Sequence, residues 1–333
     1  MQTVVGVDLG GTKIQTVLLR GTDVLGTERV ATPRSGPDEV VRAIGSSVRA
    51  AMNGADDEIQ ALGIGSPGRI DRETGTVSLA KNVPGFADPV HLGPLLSEDL
   101  GLGVPVIVDN DVRAATLGEL ALGAGRPFED LLCVFVGTGV GGGLVLGGDL
   151  REGRGAAGEI GHAVVKPGGR RCSCGRKGCL EAYAGRGCME TRARRLVKRG
   201  RKTALFEIME ERQRDRLTSG VIAAALEKSD RLAEELIDEA VWALGLALAS
   251  AQNVLDLEAI ILGGGLGDRL GSPFVERVRH AIEPHLFVPD RPPELLGTEL
   301  GDLSGAVGAA ILAGRRLDRN GTLAVHGEPP TPS

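Results

Sequence analysis

The chain has 333 residues, with 38 Lys and Arg against 44 Asp and Glu for a net charge of −6, and 51 glycines. That length can bury a large core and fits two domains, while the acidic balance excludes the basic footprint of a nucleic-acid-binding domain. The opening MQTVVGVDLGG lacks the regions of a secretory signal, and the most apolar stretch, VWALGLALASA, is too short to span a bilayer. A cytoplasmic chain with reduced thiols and no membrane partner is expected.

In chain order, TVVGVDLGGTKIQTVLLR alternates like two strands broken at Gly10-Gly11, which predicts a hairpin. DEVVRAIGSSVRAAM has helical spacing, EIQALGIGSPGRID and GVPVIVDND read as strands, and the second of these runs into the helical VRAATLGELALG. Residues 131–146, LLCVFVGTGVGGGLVL, repeat the pattern of strand, glycine turn and strand. After residue 185 the chain turns helical, and Ile237, Ala240, Val241, Leu244, Leu248 and Ala251 predict a buried stripe. Arg192, Arg194, Arg195, Lys198, Arg199, Arg201 and Lys202 form a basic cluster followed by Glu207, Glu210, Glu211 and Asp215, the pattern of a solvated helix face. EAIILGGGLG predicts a strand and a glycine loop, and SGAVGAAILAGRRL a last helix. The polar, Pro-rich tail over 318–333 is expected to be mobile. Two hairpin starts among alternating strands and helices predict two related α/β lobes facing one another.

DLGGTK, Asp8 to Lys13, delivers a carboxylate, a glycine turn, a hydroxyl and an ammonium in six residues. The turn's N–H groups can cradle phosphate oxygens and Asp8 can hold Mg²⁺ directly or through water; an ordinary hairpin turn is the alternative. GTGVGGG at 137–143 carries the same two readings. There is no G-x4-G-K-[ST], and strand-like LVL follows the glycines where a dinucleotide fold would place a helix. Asp109-Asn110-Asp111 ends an apolar strand and starts a helix. Asp and Asn cap helices there, and a carboxylate held ionised at a helix N-terminus can also accept a hydroxyl proton.

Three of the five cysteines lie within CSCGRKGC, and His162 precedes them by ten residues. His162, Cys172, Cys174 and Cys179 supply one imidazole and three thiolates, the complement of a closed tetrahedral Zn²⁺ site. Cys133 and Cys188 have no such company. Glu159 and Glu181 flank the cluster, as solvated carboxylates or as groups that a pinned loop aims at a polyhydroxylated ligand.

DLGGTK, DND, GTGVGGG, and GEIGH with the C-x-C-G-x2-G-C-x-E run occur in one order, and over residues 4–315 the chain resembles the ROK family of repressors and sugar kinases. That resemblance implies a two-lobed actin-like ATPase (ribonuclease H-like) α/β fold with a zinc-binding loop, 159–181, in the larger lobe. The small lobe would be 1–112 completed by a helix at about 304–317, and the large lobe 113–303. It implies ATP phosphates on Gly10, Gly11, Thr12 and Gly137, Thr138 and Gly139, with Asp8 and Lys13 beside them and Gly263, Gly264 and Gly265 near the adenosine. Sugar hydroxyls would meet Gly68, Asn82, Asn110, Asp111, Glu159, His162 and Glu181, with Asp111 as the base. KNVPGF and GDLSGAVGAA look most like bacterial glucokinases, which implies glucose as acceptor, ATP and Mg²⁺, structural zinc, and a homodimer or higher homo-oligomer. Kinases for N-acetylglucosamine, N-acetylmannosamine, fructose or mannose are the alternatives. Regulators of the family need an N-terminal helix-turn-helix arm, and DLGGTK begins at residue 8, so the kinase is the expectation. Val112-Arg113 departs from the Ala-Asn that often follows the Asn-Asp pair.

Overall fold

The computed structural model describes residues 2–320 apart from 54–57 and 102. The chain runs β1 (Thr3–Leu9), β2 (Lys13–Arg20), β3 (Asp23–Ala31), α1 (Pro37–Ala51), β4 (Ala61–Ser66), β5 (Arg69–Asp71), β6 (Thr76–Ser78), α2 (Leu92–Leu100), β7 (Val106–Asn110) and α3 (Asp111–Leu122). It continues through β8 (Leu131–Val136), β9 (Val140–Leu146), β10 (Asp149–Leu150), α4 (Glu181–Ala184), α5 (Arg186–Val197), α6 (Leu205–Glu211), α7 (Ser219–Glu227) and α8 (Arg231–Leu255). Last come β11 (Ala259–Gly263), α9 (Gly264–Ile282), β12 (Glu294–Gly297) and α10 (Ser304–Asn320).

These elements form two compact units, residues 1–126 with 302–333, and residues 127–301. In the first, a five-stranded sheet has the order β3-β2-β1-β4-β7. The glycine break makes β1 and β2 an antiparallel hairpin, whereas β1, β4 and β7 run parallel. Helix α1 starts with Pro37 and the acidic Asp38 and Glu39, and lays Val40, Val41, Ile44 and Val48 on the core. Leu9, Ile14, Ile44, Leu62, Ile64 and Phe86 are sealed from solvent, each worth about 1.5–3 kcal/mol of burial.

The first unit extends to Arg126 and does not end at the expected residue 112. The reason is the approach of α3 to α10: a Cβ on Gly308 would stand 1.6 Å from the Ala114 carbonyl oxygen, so only glycine lets the two backbones meet. Ser304 Oγ also donates to Glu119 Oε1 at 2.6 Å within this packing. Helix α10 runs to Asn320, and the rest of the tail expected to be mobile lies outside the described residues.

In the second unit the sheet order is β10-β9-β8-β11-β12, again a hairpin pair followed by parallel strands. Counted along each sheet's own strands, both orders are the same. Asp230 caps α8 by accepting the Ala233 N–H at 2.9 Å, and Ile237, Ala240, Val241, Leu244 and Leu248 are buried as the spacing predicts, whereas Ala251, near the end of the helix, is half-buried. The glycine run after β11 differs from the expected loop. Gly264 and Gly265 form the first turn of α9, a helix bent at Gly271 and Pro273. Among the described residues no helix is long and apolar enough to cross a membrane.

Candidate functional site

In the first unit, the parallel strands place their C-terminal ends together. Asp8 is in register with Gly65, and Gly65 with Asp109. Such ends are where open α/β sheets bind ligands. The turn after Asp8 is closed by Gly10 N–H donating to the Lys13 carbonyl at 2.9 Å, and Thr32 Oγ donates to the Gly10 carbonyl at 2.6 Å. At Gly11 a Cβ would stand 2.4 Å from the carbonyl oxygen of the exposed Asn82, so the turn is pressed against the 82 segment. Gly68 has φ +98 and faces the Ser78 carbonyl, which accounts for glycine there. Lys13 Nζ lies 2.5 Å from Asp302 Oδ1, and Arg29 reaches the same carboxylate at 3.3 Å. Burial, and then the neighbouring Asp111 carboxylate, push Asp8 up to about 7.

The DND segment divides its labour. Asn110 Oδ1 accepts the N–H groups of Val112 and Arg113 at 3.0 and 3.2 Å, so Asn110 is the N-cap of α3. Asp111 is the first helical residue, and its Oδ1 accepts the Val112 N–H at 2.9 Å. Asp109 is buried, taking Arg113 Nε at 3.1 Å and standing 3.5 Å from Arg72 Nε. The Arg113 departure is thereby explained as the partner of Asp109.

In the second unit, Gly137 N–H donates to the Gly139 carbonyl at 2.9 Å and closes the turn between β8 and β9. Phe135 at the end of β8 pairs with Gly263 at the end of β11, which brings the 137–139 turn and Gly264-Gly265 to one edge. The segment after the cysteines braces this turn. Arg186 and Gly187 N–H donate to the Gly137 and Thr138 carbonyls at 3.2 and 3.0 Å, and the buried Glu181 accepts the Val140 N–H on Oε2 at 3.0 Å. Glu181 Oε1 accepts the Ser173 hydroxyl and lies 3.4 Å from Cys172 Sγ. Glu159 is exposed and precedes the 3₁₀ turn that carries His162.

His162, Cys172, Cys174 and Cys179 converge, with one ligand atom of each within 4.8 Å of all the others. Cys172 Sγ lies 3.8 Å from His162 Nδ1, and Cys174 Sγ lies 3.8 Å from Cys179 Sγ. Tetrahedral Zn–S bonds of about 2.3 Å require sulfur separations of about 3.8 Å, so the donor set fits zinc. Gly178 adopts φ +86, and a Cβ there would stand 1.9 Å from the Lys166 carbonyl oxygen, so the loop can fold back only through glycine. Burial pushes Cys172 up to about 12 and also raises Cys179. Hydrogen bonds from the Arg176 backbone and side chain bring Cys174 down to about 6.

Three participants were not expected from sequence: Asp109 as the buried partner of Arg113, Ser173 on Glu181, and Arg186 beside the 137–139 turn. Only the first left a signal, the i, i+4 spacing of Asp109 and Arg113.

The profile of the ROK family matches residues 4–316, and the chain belongs to that family. It is 34% identical over 319 residues to the glucokinase of Streptomyces coelicolor, covering 94% of this chain and 98% of that one. The ROK hexokinase of Thermus thermophilus is similar in structure, with a TM-score of 0.78 at 33% identity over 96% of this chain and 100% of that one. A ROK glucokinase from Streptomyces griseus, solved with glucose and AMPPNP, gives 0.77 at 33% identity over 94% and 99%. An N-acetylmannosamine kinase of Escherichia coli is 30% identical over 93% of this chain and 98% of its own length. The xylose repressor of Caldicellulosiruptor bescii is 29% identical over 86% and 71%. The kinases among these relatives support a sugar kinase.

Proposed function

We propose that the protein transfers the γ-phosphoryl group of ATP to the 6-hydroxyl of glucose, giving glucose 6-phosphate. The observation that carries this reading is the division of labour at the start of α3. Asn110 caps the helix, so Asp111 is not needed as the cap and stands beside Asp8 where the parallel strands end. Asp111 takes the proton of the sugar hydroxyl as that oxygen attacks phosphorus in line. Gly68, Asn82, Asn110, Asp111, Glu159, His162 and Glu181 are the proposed contacts to sugar hydroxyls.

Gly10, Gly11 and Thr12, and likewise Gly137, Thr138 and Gly139, offer turn N–H groups to phosphate oxygens, while Gly263, Gly264 and Gly265 lie on the adenosine side. Lys13, held by Asp302, adds positive charge. Asp8 fits Mg²⁺, because the repulsion between its carboxylate and Asp111 that raises it is relieved by a divalent cation. That ion would offset charge on the phosphoryl oxygens. Zinc on His162, Cys172, Cys174 and Cys179 would be structural, pinning the loop that carries His162 and Glu181. The two sheets of matching order support the actin-like ATPase architecture. A homodimer or higher homo-oligomer in the cytoplasm completes the reading.

A coupled ATP assay across glucose, mannose, fructose, N-acetylglucosamine and N-acetylmannosamine tests it. Glucose should give the highest kcat/KM. A higher value for another of these sugars removes glucose and keeps the kinase; no phosphorylation of any sugar removes both.

A further inference from the structure

Arg186, the first residue of α5, holds its guanidinium between two proposed nucleotide-binding segments. One terminal nitrogen donates to Ser219 Oγ at 3.2 Å and the other lies 3.4 Å from Thr138 Oγ1, in the 137–139 turn. On its other side is Gly265, where a Cβ would stand 3.8 Å from the guanidinium and 3.3 Å from Ser219 Oγ. Glycine there leaves the cation's face open towards the start of α9.

The side chain lacks compensation. Its Nε is buried with no hydrogen-bond partner, and burial pulls its pKa below the usual arginine value. Acids of the flanking helices are engaged elsewhere. Glu181 accepts the Val140 N–H and the Ser173 hydroxyl, and Glu190 takes Arg194 on one oxygen and the Leu217 N–H on the other. Two hydroxyl partners are what a neutral side chain can satisfy at a much smaller desolvation cost. A half-buried cation kept at such a place, with a buried and unused N–H, matches an anion that arrives from outside the fold.

We propose that Arg186 is a phosphate ligand of the donor nucleotide, its guanidinium taking phosphate oxygens between the 137–139 turn and the first turn of α9. This deepens the kinase reading and rests on it. Ser219 and Thr138 orient the guanidinium, and the nucleotide's phosphate chain supplies the missing negative charge.

The test compares ADP with adenosine, which share the base and sugar and differ in the phosphates. For Arg186→Gln, which keeps N–H donors for the two hydroxyls without the charge, the Kd for ADP by calorimetry should rise at least about tenfold, the scale of one charge-assisted hydrogen bond. The Kd for adenosine should stay within about twofold of wild type. Arg186→Lys, which restores charge without the planar fork, should recover part of the loss. Unchanged ADP affinity in Arg186→Gln overturns the proposal, as does an equal loss for ADP and adenosine, the mark of a structural role. Wild-type protein that phosphorylates a sugar alongside either of those results leaves the kinase reading intact. Wild-type protein that binds no ADP overturns both.

Discussion

Arg113 Nε lies 3.1 Å from Asp109 Oδ1, one helical turn away in sequence, and the two side chains are only 10% and 3% exposed. An ion pair this dry is held in place by its geometry, and removal of one member leaves the other charge buried. Asp109→Ala should therefore lower the unfolding free energy by about 3 kcal/mol or more, measured by urea denaturation. Asp109→Asn combined with Arg113→Met should cost less than Asp109→Ala alone, because neither member of the dry pair is left as a buried charge and Arg72, the other neighbour of Asp109, is partly exposed to solvent. A single-variant loss below about 1 kcal/mol would show that the pair is solvated.

Asp111→Asn keeps shape and an acceptor oxygen but cannot take a proton at neutral pH. General-base contributions are about 10²–10⁴-fold, so kcat should fall by at least that order without any loss of stability, since the charge removed is one that repels Asp8. Asn110→Ala should do something the Asp111 variant does not, costing about 1 kcal/mol of stability through loss of the cap. An Asp111→Asn enzyme retaining about a tenth of wild-type kcat would place the base elsewhere.

Purified protein should contain one zinc per chain, and Cys174→Ser should lose it together with sugar affinity. Near pH 7 Cys174, brought down to about 6, is mostly thiolate, whereas Cys172 at about 12 and the raised Cys179 keep their protons. Zinc must displace the protons of Cys172 and Cys179, so its affinity should climb with pH. A competition titration against a chelator between pH 6.5 and pH 8 reads that rise, and a flat profile would refute the assigned ligand set.

The raised Asp8 makes metal-free stability depend on pH. Its folded value of about 7 lies above the ordinary 3.8. Between the two the folded chain holds a proton that the unfolded chain has released. The stability associated with that proton is complete below 3.8 and is lost as pH rises through about 7. Wild type should therefore lose stability over this interval relative to Asp8→Asn when paired denaturation curves are run without divalent cations. Parallel pH dependence of the two proteins would contradict the position of Asp8 beside Asp111.

What the sequence revealed follows the range of the interactions involved. The two glycine hairpins and the α8 stripe rest on neighbours a few residues apart, and the cluster of three cysteines and His162 is nearly as local. Arg186 was illegible because its meaning comes from Thr138, Ser219 and Gly265, which are distant in sequence. The same holds for Glu181, whose carboxylate joins Val140 to Ser173. Gly264 and Gly265 read as loop because glycine is a poor helix former, and the approach of Gly264 at φ +79 to the Val136 backbone is not visible in any local pattern. Extending the first unit through α3 needed the Gly308 contact with Ala114, which no local pattern announces.

Both sheets use one strand order, yet the connection from the third strand to the fourth covers residues 32–60 in one and 151–258 in the other. Everything that sets the second unit apart, the thiol knot and helices α4 to α8, is inserted at that single crossover, leaving strand register untouched. In the second unit, length is thus added at one permissive junction. A chain truncated or grafted there changes its recognition surface while the scaffold beneath it keeps the same wiring.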